Sequence, residues 1–123
     1  MTTVVNNEKV STISKTDDIT TLINVFTVEP ENQQRLVELI VEATEELASK
    51  LPAFISANIH KSLDGTQVVN YAQWKSEAVK SLDELGEIVK NFGDDRFTKR
   101  QIEIAKIAKF KPLFYEVCYI NKA

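Results

Sequence analysis

At 123 residues the chain is the size of one domain, long enough to bury a core without disulfides or metals to hold it together. Hydrophobic residues are 43% and charged residues 27%, a balance that excludes a disordered chain and a membrane-spanning one. The net charge of −3 carries no basic cluster, so neither nucleic acid nor an anionic membrane is expected as a partner, and a single cysteine, Cys118, excludes an internal disulfide.

Residues 1–18 are mostly polar, lack the apolar run of a secretory signal and show only a weak strand signal around Val10 to Ile13. They are expected to form an extension, flexible or lying across a partner, ahead of a domain spanning 19–123. With that start and a lone thiol, a cytoplasmic location is the default expectation. One histidine and one cysteine give no ligand cluster, so no metal is expected.

Ile19 to Val28 is rich in β-branched residues and ends before Glu29-Pro30, which predicts a first strand, apolar on both sides. Leu22, Asn24, Phe26 and Val28 share one face. Asn24 has poor strand propensity and asks for a hydrogen-bonding reason, structural or functional. Glu31 to Lys50 follows as a helix, with Leu36, Leu39, Ile40, Ala43 and Leu47 at three- and four-residue spacing, opened by Pro30 and closed before Pro52.

Ala53 to Leu63 and Gln67 to Lys75 are predicted to form a hairpin around Asp64-Gly65. On the second of these strands Val68, Asn70, Ala72 and Trp74 point one way, and Val69, Tyr71 and Gln73 the other. An amide and an indole on one apolar face suit a pocket; they also suit a core whose polar groups find ordinary partners. Two registers are open. A two-residue turn sets Ile59 opposite Asn70 and leaves His60 on the Tyr71 face, whereas a glycine bulge sets Asn58 opposite Asn70 and brings His60 to the Asn70 face as a candidate base.

Ser76 is a candidate N-cap for a second helix with Ala78, Leu82, Leu85, Val89 and Phe92 as its stripe, broken at Gly93-Asp94-Asp95. Phe97, Ile104, Ala105 and Ala108 mark a shorter third helix, and Pro112 opens a last strand over Leu113 to Ile120. This order predicts an α+β, ferredoxin-like βαββαβ protomer: a four-stranded antiparallel sheet with its helices on one face. The other face would expose Ile23, Val25, Val69 and Tyr71, and a homodimer packed through that uncovered face is the economical solution.

The segments Thr-Leu-Ile-Asn-Val-Phe-Thr-Val-Glu-Pro, Phe-Ile-Ser-Ala-Asn-Ile-His-Lys-Ser-Leu-Asp-Gly and Val-Val-Asn-Tyr-Ala-Gln-Trp-Lys-Ser resemble the antibiotic biosynthesis monooxygenase family over roughly Ile19 to Ile120. The resemblance implies a dimeric α/β barrel and a cofactor-independent monooxygenase that turns a small aromatic, phenolic substrate into a quinone with molecular oxygen. It implies Asn70 and Trp74 as catalytic residues, with Leu22, Asn24, Phe26 and, in one hairpin register, His60 around the substrate. Haem-degrading relatives use an asparagine on the first strand, a tryptophan on the third and a histidine on the second helix. Asn24 and Trp74 match, but Leu82 to Phe92 contains no histidine, so haem is not expected.

Because fold does not fix function, a non-catalytic ligand-binding or scaffold dimer and a non-oxidative polyketide cyclase or isomerase stand beside the oxygenase. A cavity of about 300 Å³ or more beside Asn70 and Trp74 separates an enzyme from a scaffold. Oxygen uptake separates the oxygenase from the cyclase.

Overall fold

Strand β1 (Ile19–Val28) lies inside the sheet, hydrogen-bonded on both edges, which is why its sequence is apolar on both sides. The computed structural model describes residues 9–16, 18–92 and 95–123. After β1 come a single 3-10 turn at Pro30–Asn32, helix α1 (Gln33–Lys50), strands β2 (Phe54–Lys61) and β3 (Gln67–Lys75), helices α2 (Leu82–Phe92) and α3 (Asp95–Ile107), and strand β4 (Ala108–Tyr115). The four strands pair antiparallel in the order β2-β3-β1-β4, the ferredoxin-like arrangement expected from the sequence.

The face of the sheet under the helices carries two apolar clusters. Phe26, Val28 and Val68 pack with Leu36, Leu39 and Ile40 of α1 and Ile104 of α3, while Leu22, Ala72 and Trp74 pack around Val79 with Phe54, Leu85 and Phe114 at their margin.

The hairpin keeps the register of the two-residue alternative but closes with a longer loop. Ile59 lies opposite Asn70 and His60 opposite Val69, while the Ser62 N–H donates to the Gln67 carbonyl at 2.9 Å across a four-residue tip. Inside that tip the Asp64 carboxylate accepts hydrogen bonds from the Thr66 amide and hydroxyl and from the Ser62 hydroxyl, and these hold its pKa below the usual carboxylate value. Gly65 is required here: its φ is +84°, and a Cβ would come within 3.3 Å of Pro30. The loop is thereby pressed against the start of α1, where the Gln33 side-chain amide donates to the carbonyls of Ser62 and Gln67 at 3.0 Å each.

Two predicted boundaries are corrected. Helix α2 begins at Leu82, because Ser81 and Glu84 have capping-box spacing and the Ser81 Oγ accepts the Glu84 N–H at 3.1 Å. Ser76 instead closes the end of β3, donating its N–H to the Asp18 carbonyl at 2.9 Å. Ser81→Ala is expected to cost about 1 kcal/mol, read as a small fall in Tm, and Ser76→Ala to leave the helix start unchanged.

The last strand is Ala108–Tyr115 rather than Leu113 to Ile120. The pairing with β1 ends at Thr21 opposite Tyr115, and in that register β1 itself ends at Ile19 opposite Val117, so Cys118 to Ile120 have no strand to pair with, while Val28 at the other end draws in Ala108 straight from α3. Pro112 sits within this strand, tolerated because β4 is an edge.

Of the N-terminal extension, residues 1–8 and 17 lie outside the described residues, as do Gly93 and Asp94 of the expected helix break. Residues 9–16 form no strand and lie across the outer face of their own sheet. There the Gln73 amide donates to the Thr12 carbonyl at 2.9 Å and Ser11 donates to Ser56; Gln73 and its cross-strand partner Thr21 are both buried.

Candidate active site

Between the sheet and the helical layer is a cavity of about 270 Å³, close to the size that marks a ligand site. Its floor is Leu22, Asn24 and Phe26 of β1 with Asn70, Ala72 and Trp74 of β3; its roof comes from Thr44 and Leu47, Leu85 and Val89, and Phe97 and Gln101 of the three helices. Register explains the hollow. Asn24 and Asn70 are direct cross-strand partners, and they fall between the two apolar clusters. Two short polar side chains at the point where the clusters would otherwise merge leave that space unfilled by hydrocarbon.

Those polar groups lack partners. Asn24 Oδ1, Asn70 Oδ1 and Trp74 Nε1 are buried and find no hydrogen-bond partner among the described residues. Each such group costs about 1–3 kcal/mol relative to a satisfied one, so three together are a feature the rest of the fold must offset. The remaining case among the described residues, Glu46 Oε1, differs in kind, since the Lys50 ammonium lies 3.8 Å from it. Trp74 is only 3% exposed and is held edge-on against Phe54, with ring centroids 5.6 Å apart at 90°. This fixes the indole over the floor without using its N–H.

A bulge makes that aromatic pair possible. The register between β2 and β3 shifts by one between Phe54 and Ser56, so Phe54, opposite Trp74, and Ala57, opposite Ala72, both face inward. Without the extra residue Phe54 would point away from the helices.

The structure thus brings Leu22, Asn24, Phe26, Asn70 and Trp74 to one cavity. His60 is a correction: it is exposed on the opposite face, because the hairpin pairs it with Val69, and its Nδ1 lies 3.2 Å from the carbonyl of Asn58. As the chain's one histidine, it leaves the cavity without an imidazole, so the lining does not suit haem ligated by this chain. Nor does any described lining residue ionise near neutral pH. Sequence reasoning missed Thr44 and Gln101, although a signal was there. Gln101 falls between Phe97 and Ile104 on the buried stripe of α3, and Thr44 between Ile40 and Leu47 on that of α1, so each is a polar residue in an apolar row.

A family profile described as antibiotic biosynthesis monooxygenase matches residues 19–80, which holds both asparagines and the tryptophan. The chain is also 40% identical over 109 residues to the tetracenomycin-F1 monooxygenase of Streptomyces glaucescens, covering 89% of this chain and 90% of that one. The chain belongs to the antibiotic biosynthesis monooxygenase family. Among solved structures of similar fold is a monooxygenase from the ActVA-Orf6 gene of Streptomyces coelicolor in complex with nanaomycin D. It has a TM-score of 0.65 and 29% identity, covering 86% of this chain and 93% of that one. SnoaB, a cofactor-independent oxygenase from Streptomyces nogalater, shares the fold with a TM-score of 0.60 at 16% identity, covering 84% and 96% of the two chains. In this antibiotic biosynthesis monooxygenase family member, no described helix is long and apolar enough to cross a membrane, and no described group of His, Cys, Asp and Glu is arranged to hold a metal ion.

Proposed function

We propose that the protein is a cofactor-independent monooxygenase acting on a small hydroxylated aromatic that becomes a quinone. The observation that carries this is the set of three unpartnered polar groups, Asn24, Asn70 and Trp74, in one otherwise apolar cavity. A scaffold gains nothing from that arrangement, whereas a site that binds an oxygen-bearing ring recovers hydrogen bonds on loading. The relatives' activities, tetracenomycin-F1 oxidation and binding of nanaomycin D, point to the same substrate class.

The chemistry needs no redox-active side chain. For an anthrone-like substrate, loss of a proton gives an electron-rich enolate that passes one electron to oxygen. The resulting radical and superoxide join in a new C–O bond, the peroxide takes up the proton, and loss of water leaves a carbonyl. One atom of O2 ends in the quinone and the other in water. The Trp74 indole N–H and the Asn70 amide N–H donate to the enolate oxygen, where a donor in a dry site is worth about 2.7–4 kcal/mol, while the unpartnered Asn70 Oδ1 accepts from a hydroxyl of the substrate. Asn24, directly across the strands, orients the ring from the other side.

Because none of the described lining residues ionises near neutral pH, the proton lost is set by the substrate's own acidity. The pH profile of kcat/KM is therefore expected to rise at the substrate's pKa and to move with it when a more acidic ring is supplied. A profile that stays put when the substrate is exchanged points to a protein base instead.

The working unit in this proposal is a homodimer joined through the outer sheet face, where Ile23, Val25, Val69 and Tyr71 are half-buried and Leu113 and Tyr115 are 42% and 46% exposed. Equilibrium sedimentation as a monomer at micromolar concentration would remove that part. The activity itself is tested by oxygen uptake with chelator-treated protein and a panel of anthrones and dihydroxynaphthalenes. One O2 per product and one labelled atom from 18O2 in the quinone are expected. Turnover without oxygen consumption assigns the site to cyclisation or isomerisation, and no turnover together with no binding assigns it to a scaffold.

A further inference from the structure

The roof of the cavity is not uniform. Helix α1 buries Leu36, Leu39, Ile40 and Ala43 and α3 buries Phe97 and Ile104, but α2 buries no residue fully. Its apolar stripe is exposed at Leu82 and half-buried at Leu85, Val89 and Phe92, and Leu85 and Val89 face the hollow itself. One end of α2 is fastened. Phe92 lies under the Lys50 ammonium, 4.8 Å from the ring centre, and against Phe97 at 5.2 Å between centroids.

The middle of the helix is weakened by its own sequence. Gly86 stands near the centre of the eleven-residue α2, and a Cβ placed there would meet nothing within 4 Å. No close approach demands glycine at that point, and its φ lies outside the positive range. The residue is exposed and is not part of the cavity lining. What glycine does at such a position is lower the stability of the helix, by backbone entropy alone. The cavity beneath measures about 270 Å³, and α2 is the least buried of the three helices that roof it, so α2 is the part of the roof that a fused-ring substrate displaces most easily on its way in.

We propose that α2 is the lid of the cavity, opening by local unwinding at Gly86 while Phe92 stays anchored. This rests on the proposed substrate class for its purpose, but the motion is a property of the free protein. Gly86→Ala stabilises the closed helix. Opening is then expected to become about fivefold rarer, which is the ~1 kcal/mol helix-propensity difference between glycine and alanine converted at 25 °C. Entry and exit pass through the same open state, so association and dissociation rates fall together and Kd stays unchanged.

The test has two arms. In the first, stopped-flow quenching of Trp74, the chain's one tryptophan, follows binding and release of 1,8-dihydroxyanthraquinone, a probe already oxidised and therefore not turned over. Equal slowing of both rates in Gly86→Ala supports the lid. A change in Kd, or unchanged rates with quenching intact, overturns it while leaving the oxygenase standing if Asn70→Ala still abolishes turnover. The second arm needs no ligand. Amide hydrogen exchange of α2 in the free protein is expected to be faster than that of α1 and to slow about fivefold in Gly86→Ala; exchange of α2 as slow as that of α1 overturns the lid even if the probe fails to bind.

Discussion

Replacing Asn70 with alanine lowers kcat/KM for oxidation of a competent hydroxyaromatic by about 10²- to 10³-fold, the loss expected when one preorganised donor to a developing oxyanion is removed. The same change leaves the protein about as stable as before. Asn70 Oδ1 has no partner in the unliganded cavity, so truncating the side chain removes a buried polar group whose desolvation was uncompensated, which offsets the enlarged hollow. Activity lost with Tm nearly unchanged is the signature of a residue kept for the substrate. A comparable loss of stability would instead mark Asn70 as structural. Asn24→Ala extends the test, because the two amides are cross-strand neighbours and are expected to couple. If both serve the same substrate oxygen, the double variant is no slower than the worse single one. Multiplied losses would mean that they hold different oxygens.

Arg100→Ala is expected to lower stability by about 2–3 kcal/mol, seen as a fall in Tm of roughly 10 °C for a chain of this size. Arg100 fastens α3 to α1: its Nη1 donates to Glu46 Oε2 at 2.7 Å and its Nε lies 3.4 Å from Glu42. The Arg100 and Glu46 side chains are only 16% and 12% exposed, so removing the guanidinium leaves a carboxylate with limited access to water and only the Lys50 ammonium, 3.8 Å away, to face it. Arg35 supplies the contrast. Its Nη2 alone donates to both oxygens of Glu103, at 3.0 Å each, but these side chains are 48% and 46% exposed, and Arg35→Ala is expected to cost under about 1 kcal/mol. The double variant Arg100→Met with Glu46→Met checks the reason given, because replacing both partners by apolar groups should recover most of the loss. If the double variant is no more stable than Arg100→Ala, the arginine acts through its packing rather than its charge. Thr44 and Gln101, on the two helices so joined, both line the cavity, so the clamp also fixes the roof over Asn24 and Asn70.

Much of this was legible in the residues. The β-branched run from Ile19 to Val28, the spacing of Leu36, Leu39, Ile40 and Ala43, and the alternation through Asn70 and Trp74 each announce their element locally, and the observed strands and helices follow them. Where the prediction slipped, two local signals competed. Ser76 reads as a cap, but its hydroxyl accepts from Thr20 and its N–H closes β3 on Asp18, whereas the Ser81 hydroxyl five residues on accepts the Glu84 N–H and starts the helix. Pro112 reads as a boundary because proline rarely sits inside a strand, yet on the edge of this sheet it interrupts nothing.

By itself the sequence determined the element types, the face that carries Asn24, Asn70 and Trp74, and membership of the antibiotic biosynthesis monooxygenase family, because periodicity and turn chemistry are local properties. Only the tertiary structure decided that His60 faces away, that a bulge at β2 turns Phe54 onto Trp74, and that the two asparagines meet across β1 and β3 with no partner of their own. The reason is strand pairing. One residue of slip or one extra residue in a strand reverses which face a side chain takes, and that choice is made by what the whole sheet can bury, not by the neighbours in the chain.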